Sequence, residues 1–253
     1  MKRYMVVAAA ALFAASASAS ESWVLFGSVL GYRNGCDPSY VWKTEPIFHN
    51  RSAADQIIAV LHRSGTFSLP GTLTIPAGTS LPLSLLAGGP QLGIGVIELD
   101  APADVTVQPR LEYENILPCS GAAPALGPSG NIPLPLFHVV EAGQAQLHYG
   151  LDLGIQSVRV NVGVYNAGTR TATATIVLQR PSCNNPTSTS VTVPPDALIQ
   201  VPIPVPPICS VPVNPSPPFL LNATVVVDQP SFSYATTVSN GQSPNVTFGA
   251  GMP

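Results

Sequence analysis

Charge is what this sequence has least of. Asp, Glu, Lys and Arg together make up 9% of its 253 residues, and cations are the scarcer sign. With Lys2 and Arg3 set aside, eight cations face thirteen anions, a net charge of −5, and Lys43 is the one lysine left. A chain so poor in cations offers no electrostatic footprint for nucleic acid or an anionic lipid surface. Catalytic signatures are missing as well: no Gly-x-Ser-x-Gly, no His-Glu-x-x-His and no phosphate loop occurs. Nor is there a Cys-x-x-Cys pair of the kind metal sites use. Low charge does not mean disorder here, because 45% of the residues are apolar and disordered chains combine high charge with few apolar groups. Proline is abundant, at 28 residues. An interior proline costs a helix about 3 kcal/mol, so long helices are excluded and an all-β fold is expected.

The N-terminus begins Met1-Lys2-Arg3, runs apolar from Tyr4 to Ala15, and turns small and polar before Ala17-Ser18-Ala19. These are the three parts of a secretory signal, assigned to residues 1–19 with cleavage after Ala19 and Ala17 as the alternative. The apolar run is shorter than the roughly 20 residues that span a bilayer. Export to the periplasm or the extracellular space follows, with no membrane insertion after cleavage. Cys36, Cys119, Cys183 and Cys209 form an even set in an exported chain, which reads as structural disulfides. Cys183 with Cys209 and Cys36 with Cys119 is the simplest pairing, and other connectivities stay open.

What the chain does have is an internal repeat. FHNRSAADQIIAVLHR (48–63) is matched by VYNAGTRTATATIVLQR (164–180), TIPAGTSL (74–81) by TVPPDALI (192–199), and LDAP (99–102) by VDQP (227–230). The offsets are 116 at Asn50/Asn166, 118 at Pro76/Pro194 and 128 at Asp100/Asp228. Three matches in order indicate a duplication, with the jump falling in the proline-rich insertion 203–222 that holds Cys209. The expected organisation is signal peptide 1–19, first copy 20–118, Gly/Pro/Ala linker 119–133, second copy 134–248 and tail 249–253.

Each copy reads as strands. Val158, Val160, Val162 and Val164 alternate with Arg159, Asn161, Gly163 and Tyr165, which predicts one buried and one wet face. Ala172, Ala174, Ile176 and Leu178 alternate with threonines in the same way. Asn166-Ala167-Gly168 between the two runs predicts a hairpin turn with φ > 0. Pro202, Pro204 and Pro206 remove donors from one side of their strand, which predicts an edge strand, with polyproline II along the surface as the alternative. Several short strands with turns at this spacing indicate a β-sandwich or barrel.

The run VRVNVGVYNAGTRTATATIVL (158–178) resembles the strand–Asn-x-Gly–strand signature of bacterial extracellular immunoglobulin-like domains, including cell-adhesion-related and hydin-like repeats. The resemblance covers about 20 residues of the second copy, and in the first copy Ser52 stands where Gly168 does. It implies two tandem immunoglobulin-like β-sandwiches serving as spacers, adhesion modules or binding accessories.

Candidate chemistry is sparse. His49, His62, His138 and His148 are scattered, and His62 is matched by Gln179 in the second copy, as suits a strand surface. His138, His148 and Asp152 are the one histidine-containing metal set to weigh, and ten residues separate the histidines. Asp100 and Asp104 suggest calcium less than they suggest turns. Glu112 and Glu114 could form an acid–base pair but have no supporting residues. Asn50-Arg51-Ser52, Asn222-Ala223-Thr224 and Asn245-Val246-Thr247 match glycosylation sequons. Trp23, Tyr32, Tyr40 and Trp42 gather near the start of the first copy, and as a group they are the best candidate binding surface, because aromatics dominate interface hot spots. The expectation is a secreted, non-enzymatic adhesion or ligand-binding protein without a cofactor, whose partner is an extracellular protein or polysaccharide. A hydrolase with its site at the domain junction and a periplasmic chaperone are the alternatives.

Overall fold

The computed structural model describes residues 20–31, 40–65, 69–83, 93–115, 131–134, 136–152, 158–180, 185–204, 220–239, 245–248 and 250–252. The chain is all-β. Its first half contains β1 (Ser20–Gly31), β2 (Tyr40–Thr44), β3 (Ile47–Asn50), β4 (Gln56–Ser64), β5 (Thr72–Ile75), β6 (Ser80–Pro82), β7 (Gly93–Ala101), β8 (Val105–Gln108), β9 (Arg110–Asn115) and β10 (Asn131–Pro133). The second half contains β11 (Ala145–Asp152), β12 (Val158–Asn166), β13 (Ala172–Gln179), β14 (Thr187–Val193), β15 (Ala197–Ile203), β16 (Leu220–Val227), β17 (Ser231–Ser239), β18 (Asn245–Phe248) and β19 (Ala250–Met252). The signal segment, the four cysteines, Tyr32 and most of the 119–133 linker lie outside the described residues, as do the side chains of Trp23, Tyr40 and Trp42.

Each half is made of two sheets. In the first they run β10-β9-β2-β1-β7-β4-β5 and β6-β3-β8; in the second, β14-β13-β16-β11-β19 and β15-β12-β17-β18. The orders β5-β4-β7-β1 and β6-β3-β8 recur as β14-β13-β16-β11 and β15-β12-β17, so both halves thread seven strands alike. Between the sheets lie two apolar cores. Phe48, Ile58, Ile75, Ile97 and Leu99 fill the first; Val160, Val162, Val164, Ile176, Leu178 and Val225 fill the second. Asn131–Pro133, the end of the expected linker, is a strand paired with β9, and Ala250–Met252 of the expected tail is a strand paired with β11.

The three repeated sequence blocks are the three turns that carry the chain from one sheet to the other. Asn166-Ala167-Gly168 is therefore no hairpin: β12 pairs with β15 and β17, whereas β13 pairs with β14 and β16. Nor does Gly168 take positive φ; the turn instead folds around the Asn166 side chain. Its Oδ1 accepts from Gly168 N at 2.9 Å, and its Nδ2 donates to the carbonyls of Arg170 (2.8 Å), Val193 (3.0 Å) and Pro194 (3.1 Å). Asn50 repeats this clamp position for position, on Ser52 N, Ala54, Ile75 and Pro76. The positive φ falls one turn later, at Gly78 (62°) and its counterpart Asp196 (56°).

Register also corrects the third block. Asn50 pairs with Val105 and Asn166 with Ser231, while Ala59 pairs with Asp100 and Thr175 with Val226. The offset there is 126, so the LDAP/VDQP match is displaced by two residues and Asp228 does not correspond to Asp100. Asp228 holds its own turn, accepting from Thr173 N at 2.8 Å. β15 pairs only with β12 among the described strands, as its prolines require. Pro202 stands opposite Asn161, a pair that must be non-hydrogen-bonded, and leaves Val201 and Ile203 to bond Val162 and Val160.

Candidate functional site

The expected wet face of β12 is buried. Tyr165 is 1% and Asn161 5% exposed, and around Tyr165 the outer face of the β15-β12-β17-β18 sheet is covered by the 136–140 segment and by β7 of the first half. Phe137 stacks on Phe232 at 4.9 Å, Tyr165 lies 5.1 Å from Phe232, and Val96 of the first half completes the cluster with Tyr234. The segment ties the halves together: Leu134 and Leu136 turn to the first half, Phe137 and Val139 to the junction. Gly163 makes room for this. A Cβ there would overlap the ring of Tyr234, its cross-strand partner, whose hydroxyl donates to Gln200 Oε1 at 2.8 Å.

At the rim of this apolar cluster, side chains of both halves meet. Between Val60 and His62 the β4–β7 ladder shifts register, leaving Leu61 as the extra residue of a bulge. A one-residue insertion reverses the facing of every following side chain, so His62 pairs beside Glu98 and turns away from the first core. Its Nε2 lies 2.6 Å from Asp196 Oδ1, which also accepts from the Tyr165 hydroxyl at 2.8 Å. Burial raises the Tyr165 phenol far above its ordinary range, reinforced by the hydrogen bond and charge of Asp196 and by Glu98; it stays a donor at any working pH. Beside His62 an open cleft of about 340 Å³ is lined by Val60, Leu61, Arg63, Leu69, Pro70 and Gly71. Arg63 donates across it to the Leu69 carbonyl.

The other candidates are placed apart. His49 bonds Ser80 and Gln108, His138 is exposed, and His148 is buried against Ser233, so His138 and His148 do not converge. No group of three His, Cys, Asp or Glu that could hold a metal occurs among the described residues. Glu112 is no free acid: with Glu45 it alternates around Lys43 and Arg110, at 2.6 Å to Arg110 and 3.6 Å to Lys43. This neutral quartet sits where β2–β3 and β8–β9 bend between sheets at Pro46 and Pro109. Asn50 is 3% exposed with its amide engaged, so that sequon is closed in the folded chain. In the first sheet, register sets Trp42 opposite Val29 and Tyr113, Tyr40 opposite Gly31 and Asn115, and Trp23 opposite Glu98. His62 was read as a strand-surface residue. The bulge that gives it a partner 134 residues away leaves no mark in local sequence.

No family model matches the chain, and no curated protein matches it. Among solved structures, an anti-sigma factor domain-containing protein is similar over 89% of this chain and 95% of its own, at 8% identity and a TM-score of 0.14. A likeness of that size carries no argument about fold or function.

Proposed function

We propose that this protein is an exported, non-enzymatic tandem of two immunoglobulin-like sandwiches that works as an adhesion or ligand-presenting module. One observation carries the reading: two halves with the same strand order are locked by a buried aromatic junction, an arrangement suited to holding a surface in place. The partition of strands supports the immunoglobulin likeness only in its broad form. Counting the seven shared strands in order, sheets 1-3-4-6 and 2-5-7 differ from the constant-type ABED and CFG by exchanging the first and last strands and moving the fourth to the other sheet. Trp42 stands opposite Tyr113 with Tyr40 two residues along β2, which suits an aromatic strip as the contact surface for a polysaccharide or protein.

The test is capture by the mature protein, Ser20–Pro253, of cell-surface polysaccharides and proteins. Binding is expected, reduced at least about tenfold by Trp42→Ala, the size of effect an aromatic hot spot gives; no partner in a broad panel would overturn the reading. A junction hydrolase is the second reading, favoured by His62, Asp196 and the adjoining cleft. It requires ester or amide turnover that His62→Ala abolishes. Chaperone action has less support, since Lys43 is held by Glu45 and Glu112.

A further inference from the structure

Inside the second sandwich, four polar side chains from β11 and β17 are enclosed together. Ser233 Oγ donates to Gln146 Oε1 at 3.0 Å, His148 Nε2 lies 2.8 Å from the same Oγ, and Gln146 Nε2 donates to Ser231 Oγ at 3.1 Å. All four are 5% exposed or less. The first half shows that the fold does not need them. The register that equates Asn50 with Asn166 puts Ser22, Val24, Val105 and Val107 at the positions of Gln146, His148, Ser231 and Ser233. Val105 and Val107 thus pack in the sibling core where the second half places two serines.

We propose that this quartet is an intramolecular acyl-transfer site that joins Ser233 to Gln146 by an ester bond. A hydroxyl, a base and a carboxamide held at contact distance in a dry enclosure are the parts of such a reaction. Ser233 Oγ, its hydroxyl turned from Gln146 Oε1 to His148 Nε2, attacks Gln146 Cδ as that nitrogen takes the proton. The tetrahedral intermediate collapses with cleavage of the Cδ–Nε2 bond, and His148 returns the proton to the departing nitrogen, which leaves as ammonia. Nothing is oxidised or reduced. A half-turn of the Gln146 amide brings its oxygen against the Ser231 hydroxyl, the donor for the developing oxyanion. Burial pulls the His148 imidazole down to about 4, so at neutral pH it is unprotonated and able to act as the base. The bond would tie the first strand of the second half to one on the opposite sheet, bracing a module under load.

Intact mass of the reduced mature protein reads the outcome. Wild type is expected about 17 Da below the sequence mass, one ammonia, with a linked peptide pair containing Gln146 and Ser233. Mild alkali should raise that product by the mass of one water and leave glutamate at 146. Ser233→Val, the sibling residue, should give the full sequence mass with an unchanged circular dichroism spectrum. His148→Val should give the full mass too. A folded wild-type protein at full mass overturns the proposal. So does the same deficit in Ser233→Val, which would place the lost ammonia elsewhere. The adhesion reading stands or falls separately, on partner capture.

Discussion

Asn50 and Asn166 each commit one amide nitrogen to three backbone carbonyls while the amide oxygen holds the turn's N–H. No other side chain of that size can donate and accept in this pattern, and the acceptors it satisfies are partly or wholly buried. Asn166→Ala should therefore cost about 3 kcal/mol, several modest hydrogen bonds and the stranded carbonyls together. Asn166→Asp should cost at least as much, because a carboxylate cannot donate. Urea unfolding of both variants checks this, and Asn50 variants should behave alike. His148 makes a prediction of the opposite kind. Its ordinary value of 6.5 in the unfolded chain falls to about 4 in the native state. Above pH 6.5 neither state carries the proton and stability is unaffected. Between 6.5 and about 4 only the unfolded chain binds it, so stability falls with pH, by up to about 3 kcal/mol in all. Denaturant midpoints from pH 7 to 4 should slope downward in wild type and lose most of that slope in His148→Val.

At the scale of elements, β12 shows how much of the fold was legible and where reading stopped. Its valine alternation placed Val160, Val162 and Val164 in the core correctly, since period two is local. The other face was read as wet and is buried, because what covers it arrives from β7 and from 136–140, far off in sequence. The Asn-x-Gly turn was found for the right residues with the wrong geometry: the motif looks alike in a hairpin and in a crossover between sheets, and only pairing partners tell them apart. The proline-marked edge of β15 was readable because a missing N–H has one structural meaning wherever it falls. The junction site was not, since its contacts depend on a bulge and on a partner 134 residues away. Gly163 belongs to the same class of hidden constraint. Its φ is ordinary, yet the Tyr234 ring occupies the space of a Cβ. Gly163→Ala should displace that ring from Gln200 and Phe137 and destabilise by about 1–3 kcal/mol, the usual cost of overpacking. Thermal melts check the loss, and Gly163→Ala combined with Tyr234→Ala should recover part of it.

For the whole molecule, the question is whether two sandwiches behave as one body, and the junction decides it. Two kinds of contact cross it. His62–Asp196 is conspicuous in geometry, but its side chains are 37% and 50% exposed, and even a fully charged pair so open to solvent is worth under about 1 kcal/mol. The aromatic cluster is buried and packed from both halves through Val96 and Phe137. Truncating a buried phenylalanine costs about 3–5 kcal/mol, so this cluster holds most of the coupling. Wild-type protein should unfold in a single calorimetric transition, little altered by 1 M salt (roughly a 3 Å screening length) or by His62→Ala. Phe137→Ala should remove the stacking partner of Phe232 and split the endotherm into two, one for each half. Two transitions in wild type would show the halves to be independent; one transition retained in Phe137→Ala would move the coupling to the strands of the first half that reach residues 131–134. Either result bears on the proposed adhesion role, because a module presenting a surface under load would transmit force through this contact.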